Sequence, residues 1–101
     1  MTPQDFFKND LFAERAGIVL MEVREGYSKA RLEIKKEHLN AGNRTQGGAI
    51  FTLADLALAA AANSHGQLAF SLSSNITFLR ASGIGDTLYA EARERYIGRS
   101  T

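Results

Sequence analysis

The chain has 101 residues, of which 45% are hydrophobic, and its 12 basic and 11 acidic side chains almost cancel. The basic residues are scattered, so the charge clustering typical of nucleic-acid-binding proteins is missing, and the lack of cysteine excludes disulfides and cysteine nucleophiles. We therefore expect one small domain spanning residues 1–101 and no nucleic-acid partner.

The sequence carries no recognisable targeting or metal-binding signal. Its first ten residues lack the charged and apolar segments of a signal peptide, and the longest apolar run, residues 56–62, is too short to cross a bilayer. The two histidines, His38 and His65, are far apart and lack ligand-like neighbours, so we expect no metal site. These features predict a cytoplasmic protein that does not enter membranes.

A helix and a hairpin are predicted at the start of the chain. Residues 3–14 should form a short helix, because Pro3 suits the first helical position. Residues 18–25 and 29–35 should form two strands around a tight turn. The second strand alternates apolar and charged side chains, which predicts one buried and one exposed face.

The segment from Thr45 to Gly66 is almost wholly apolar and opens on two glycines. Its composition predicts a long central helix over residues 46–64, buried because it is hydrophobic on all sides. Asp55 is the one acid in this segment. A lone carboxylate is costly to remove from water, so Asp55 requires either a partner or a function.

Two further strands are predicted, at residues 68–80 and 87–97. Strands that surround one apolar helix indicate an α+β domain in which an antiparallel sheet wraps around that helix. Residues 98–101 have the composition of a turn into another strand. We therefore expect the domain to continue beyond residue 101 and the sheet to lack its last strand or strands, which leaves an open edge.

The central part of the chain resembles the hotdog-fold acyl-CoA thioesterases, in particular the PaaI-like group named for phenylacetate degradation. The resemblance spans roughly residues 39–98 and rests on QGGAIFTLADLALAAAANSHG, followed by SLSSNITFLRASGIGDTLYAEA. It implies a hotdog fold and hydrolysis of an acyl-CoA at a site between two subunits of a homodimer, often paired into a tetramer. Coenzyme A would be part of the substrate, with no separate cofactor.

The resemblance also assigns site residues. The family's His-Gly-Gly falls on Gln46, Gly47 and Gly48, its acid falls on Asp55, and its preceding asparagine falls on Asn40. Gln46 departs from the family pattern, since an amide can donate a hydrogen bond but cannot titrate.

Three more candidates follow the helix. The family's serine or threonine, which helps to hold water in some members, falls on Ser71, and Ser73 shares its face of the expected strand. Arg80 could contact the phosphates of coenzyme A, although an exposed arginine is usually only solvated.

Thioester hydrolysis requires attack on the carbonyl carbon and stabilisation of the negative oxygen that develops. Unpaired N–H groups at a helix N-terminus suit the second task, and we assign Gly48 as that donor, with Gly47 assisting. Asp55 would act as general base towards water or as the nucleophile, and the sequence leaves both routes open.

Gly48 and Asp55 are seven residues apart, or about 10 Å along one helix, whereas an oxyanion donor must lie about 3 Å from the oxygen it stabilises. One chain therefore cannot supply both groups. Two such helices, antiparallel across a two-fold axis, would bring Gly48 of one subunit towards the partner's Asp55, twice per dimer.

Two other functions stay open at this level. A non-catalytic acyl-CoA-binding module is favoured by Gln46. A hotdog hydratase or dehydratase would require a histidine paired with an acid, and neither histidine stands at the matching place. Structural roles also compete: Asp55 could make an interface hydrogen bond, the glycines could permit close packing, and Asn40 could bind its own loop.

Overall fold

The computed structural model describes residues 2–101, and the chain starts with two short helices. These are α1 (Pro3–Phe7) and α2 (Leu11–Ala16). The prediction of a single helix over residues 3–14 is wrong, because the Asp10 side chain accepts the N–H of Ala13 and starts a second helix.

Three antiparallel strands form the sheet, in the spatial order β1 (Val19–Arg24), β2 (Tyr27–Glu33) and β3 (Thr87–Arg93). Gly26 lies in the turn between β1 and β2 with φ of 72°, a left-handed conformation that glycine adopts without steric cost. The predicted hairpin is therefore confirmed. The third strand is shorter than the predicted segment 87–97.

The long helix α3 (Gly47–Ala62) packs against one face of this sheet and agrees with the predicted helix to within two residues at each end. The alternation predicted for β2 is also observed, since Ala30 and Leu32 are fully buried, while Arg31 and Glu33 are exposed and Lys29 is half-buried. Buried side chains from the helices, the sheet and the residues that flank its strands form one core: Ala13, Ile18, Ala30, Leu32, Ile34, Leu53, Leu56 and Ala57.

One face of α3 is not covered by the chain. Gly48, Asp55, Leu58 and Ala62 are exposed, and their spacing of three, four and seven residues places them along one side of the helix. The expectation of a helix buried on all sides is therefore wrong for this chain. The sheet covers only the opposite side, and many of the apolar residues are alanines that expose little area.

Residues 68–80 do not form the predicted strand. A strand needs a neighbour for its backbone N–H and C=O groups, and within residues 2–101 neither free edge of the sheet pairs with this segment. Its large side chains stay in solvent, with Phe70 84%, Leu72 89% and Leu79 90% exposed. Among the described residues, no helix combines the length and apolar character that a membrane span requires.

Candidate active site

Asp55 lies midway along α3, on its exposed face, and has one hydrogen-bond partner among the described residues. The Ser71 hydroxyl donates to Asp55 Oδ1 over 3.3 Å. Asn63 holds the following segment beside the helix, because its side chain accepts the N–H of Ala69 at 2.8 Å and donates to the same residue's carbonyl at 3.0 Å. Ser73 is exposed and makes no such bond within residues 2–101.

Among the described residues, the N-terminus of α3 presents one unpaired N–H donor, that of Gly48. Gln46 is the N-cap residue, and its side-chain oxygen accepts the N–H of Gly47 at 3.0 Å. The Gly48 N–H has no acceptor within the described part of the chain. It is one of the unpaired donors that every helix N-terminus carries, and Gly48 is exposed.

The two glycines differ in what surrounds them. A Cβ atom on Gly47 would lie 3.1 Å from the ring of Phe78, so the packing of this chain favours glycine there. A Cβ atom on Gly48 would meet only the Gln46 side chain, at 3.8 Å. Glycine within a helix costs up to about 1 kcal/mol relative to alanine, and nothing in the described chain offsets that cost at position 48.

An apolar groove of about 320 Å³ is lined in part by Ser71, the residue that binds Asp55. It lies between the C-terminal half of α3 and the segment that carries Ser71. Such a groove can accept an apolar group whose polar end lies at the carboxylate. Its lining residues are Leu58, Ala59, Ala62, Ala69, Phe70, Ser71, Leu72 and Ser73.

Asn40 and Arg80 do not join these groups. The Asn40 side-chain oxygen accepts the N–H groups of Gly42 at 2.9 Å and Arg44 at 3.1 Å, which fixes the loop before α3 in the manner of an Asx turn. Arg80 is exposed. No group of three or more potential metal ligands occurs among residues 2–101.

A polar network around the start of α3 was missed at the sequence level. It includes His38, which is 7% exposed, and Thr45, which is 6% exposed. The Ser82 hydroxyl donates to Thr45 Oγ1 at 2.7 Å. Nothing in the sequence spacing connects residues 37 positions apart, so only the fold reveals this contact.

An antiparallel sheet packed on one long helix, with an acid and two glycines on that helix, is the architecture of the hotdog fold. Residues 42–101 match the family model described as the thioesterase superfamily. The chain belongs to this superfamily.

The chain is similar to curated proteins that include a putative esterase and an acyl-coenzyme A thioesterase. It is 47% identical over 95 residues to a putative esterase of Archaeoglobus fulgidus, covering 94% of this chain and 62% of the relative. It is 37% identical over 95 residues to the acyl-coenzyme A thioesterase PaaI of Escherichia coli, covering 94% and 68%. The chain thus spans about two thirds of the length of these curated relatives.

Solved structures agree with this placement. The structure of Escherichia coli PaaI, from the phenylacetic acid degradation operon, matches with a TM-score of 0.90 and 36% identity, covering 94% of this chain and 69% of that one. A Streptococcus mutans protein bound to acetyl-CoA matches with a TM-score of 0.77 and 30% identity, covering 81% and 66%.

Proposed function

We propose that the chain acts as an acyl-CoA thioesterase of the PaaI type, which hydrolyses an aryl-acyl or medium-chain acyl-CoA. One observation carries the proposal: the exposed face of α3 presents both an acid held by Ser71 and the unpartnered N–H of Gly48. These are the two groups that thioester hydrolysis requires, a base or nucleophile and an oxyanion donor.

In the general-base route, Asp55 accepts a proton from a water molecule as the water oxygen bonds to the thioester carbonyl carbon. The Gly48 N–H stabilises the negative oxygen of the tetrahedral intermediate. When the carbon–sulfur bond breaks, the electron pair leaves on the sulfur of coenzyme A, which takes up the proton. The products are a free acid and coenzyme A. In the alternative route, an Asp55 carboxylate oxygen attacks the carbonyl carbon and the carbon–sulfur bond breaks, so coenzyme A leaves as its thiolate. Water then hydrolyses the mixed anhydride, which releases the free acid, regenerates the Asp55 carboxylate and supplies the proton that the thiolate takes up.

The site would be shared between two subunits. Along one α3 the two groups are about 10 Å apart by helical rise, too far to serve one carbonyl. A two-fold partner would place its Asp55 near the first subunit's Gly48. The exposed apolar side chains Leu58, Phe70 and Leu72 supply a surface that such a homodimer would bury, and two dimers could pair further.

The groove and the relatives support the proposed substrate class. The groove that Ser71 lines is largely apolar, which suits an acyl or aryl group next to the reacting carbon. The relatives support a coenzyme A thioester as the substrate, since one is an acyl-coenzyme A thioesterase and the structure of another has acetyl-CoA bound. Arg80 is our candidate contact for the phosphates of coenzyme A.

The test is release of free thiol from a panel of aryl-acyl and medium-chain acyl-CoAs. The Asp55→Asn variant should lose about 100-fold or more in kcat, whereas Glu37→Gln, which changes an exposed carboxylate of the 3-10 helix Lys36–His38, should retain activity. Because the proposed chemistry uses only protein groups and water, activity should persist in a metal chelator. Full activity of Asp55→Asn, or loss of activity in chelator, would overturn the mechanism.

A non-catalytic acyl-CoA-binding module is the second candidate, and Gln46 favours it. Its amide cannot titrate, and its oxygen already accepts the N–H of Gly47. Binding of acyl-CoAs without any thiol release would establish this function. A hydratase is disfavoured, because the ring nitrogens of His38 are both engaged by backbone groups and His65 lies beyond the far end of α3.

A further inference from the structure

We propose that His38 is a positioning residue that fixes the N-terminus of α3, and with it the Gly48 donor, relative to α2 and the sheet. The inference rests on the thioesterase function proposed above. It stands on three backbone groups that converge on one buried histidine.

Both ring nitrogens of His38 are satisfied. Nδ1 accepts the N–H of Lys35 at 2.8 Å, and Nε2 donates to the carbonyl of Ala16 at 2.6 Å. A nitrogen that accepts from an N–H carries no proton, so this arrangement defines the neutral ring protonated on Nε2. The ring thereby joins Ala16, the last residue of α2, to Lys35, which lies two residues after the end of β2.

The backbone of His38 extends the connection to the helix. Its carbonyl accepts the N–H of Gln46, the N-cap residue of α3, at 2.7 Å. The adjacent Thr45 N–H donates to the carbonyl of Ser82 at 2.8 Å. The two residues before Gly47 are thus held from two sides, one of them through His38.

This position matters for the Gly48 donor. Oxyanion stabilisation depends on donor geometry, and an error of about 1 Å in the placement of reacting groups can cost about 100-fold in rate. Gly48 lies two residues beyond Gln46, and its own N–H makes no bond within residues 2–101 that could hold it. The Gly48 carbonyl is held within the helix, where it accepts the Thr52 hydroxyl at 2.7 Å. The place of Gly48 relative to the sheet therefore depends on how the helix N-terminus is anchored, and His38 supplies one of the two anchors.

The first experiment compares full-length His38→Leu and His38→Gln with the control Ser64→Ala. Ser64 accepts the Gly26 N–H at 2.8 Å near the C-terminal end of α3, so the control loosens the opposite end. For His38→Leu we expect kcat to fall about ten-fold, with the dissociation constant for a non-hydrolysable thioether analogue of the best acyl-CoA unchanged. His38→Gln, which keeps a donor for Ala16, should recover part of the rate. Equal losses of kcat in His38→Leu and Ser64→Ala would overturn the proposal.

A second measurement does not depend on activity. In His38→Leu the Gln46 amide should exchange hydrogen about ten-fold faster, while the Leu56 amide, at mid-helix, keeps its protection. Unchanged exchange at Gln46 would overturn the positioning role even if the protein hydrolyses no thioester. If His38→Leu does not fold, nitrogen NMR of the unmodified protein decides: protonation of the neutral ring on Nε2 supports the proposal, and protonation on Nδ1 refutes it.

Discussion

The Ser71 hydroxyl lies 3.3 Å from Asp55 Oδ1, and this bond joins the middle of α3 to a segment that takes no part in the sheet. The contact orients the carboxylate and leaves its other oxygen without a protein partner among the described residues. An acid held by one oxygen and exposed through the other can interact with a water molecule or a substrate carbonyl.

Ser71→Ala should therefore lower kcat by about ten-fold, because the carboxylate would lose its orienting donor but keep its charge. Ser74→Ala is the matched control, since Ser74 is exposed, lies outside the groove lining and makes no bond to Asp55 within residues 2–101. Thiol release at saturating acyl-CoA measures the effect. Equal rates for both variants would show that the Ser71 bond has no catalytic role.

The two glycines at the start of α3 should respond differently to alanine. Gly48→Ala should raise the free energy of unfolding by up to about 1 kcal/mol, because a Cβ atom fits there, yet it should lower kcat by crowding the donor. Gly47→Ala should gain less stability, since its methyl group would have to displace Phe78. Urea unfolding and thiol release on both variants test this. Equal stability gains, or full activity of Gly48→Ala, would contradict it.

His65 gives the fold a pH dependence. Its Nε2 lies 2.7 Å from Glu94 and its Nδ1 lies 3.5 Å from Glu25, and the hydrogen bond with Glu94 raises the pKa of His65 above the ordinary 6.5. A raised pKa means that protonation favours the folded state. The stabilisation is fully present below the unfolded pKa of about 6.5 and is lost as the pH rises through the higher folded value.

Urea midpoints measured across this range, at pH values where carboxylates stay ionised, should therefore fall as the pH rises. The fall should be smaller in Glu94→Gln and smaller still in His65→Asn. Identical pH profiles for the unmodified protein and His65→Asn would show that the loss comes from other groups.

The parts of the fold that depend on local sequence were predicted well. Two glycines before an apolar run located the start of α3, and the strict alternation of β2 located its buried face at Ala30 and Leu32. Both features are set by contacts along one element, which periodicity records. The closeness of Ser71 to Asp55 was suggested only by family resemblance, because no local pattern brings together residues 16 positions apart.

The predictions that proved wrong depend on contacts between different secondary-structure elements. The pattern of residues 68–80 shows that the segment is apolar enough to form a strand, but pairing depends on a neighbour that periodicity does not identify. Asp55 was expected to be buried because α3 lacks other charges, yet the sheet covers only the opposite side of the helix. No sequence pattern indicates that His38 connects α2 to α3, because the connection depends on the positions of two backbone carbonyls, those of Ala16 and His38.

Sharing of the site between subunits can be tested by mixing variants. Asp55→Asn and Gly48→Val should each be inactive alone, but after subunit exchange half of the dimers are mixed and each holds one intact site, which restores about one quarter of the wild-type activity. A chain carrying both changes, mixed with the unmodified chain, should also give about one quarter, because every mixed dimer then has a defect in both sites. If each site lay within one chain, the first mixture would stay inactive and the second would keep about one half. The pair of mixtures therefore distinguishes the shared site from a single-chain site, provided that tagged variants confirm that the subunits have exchanged.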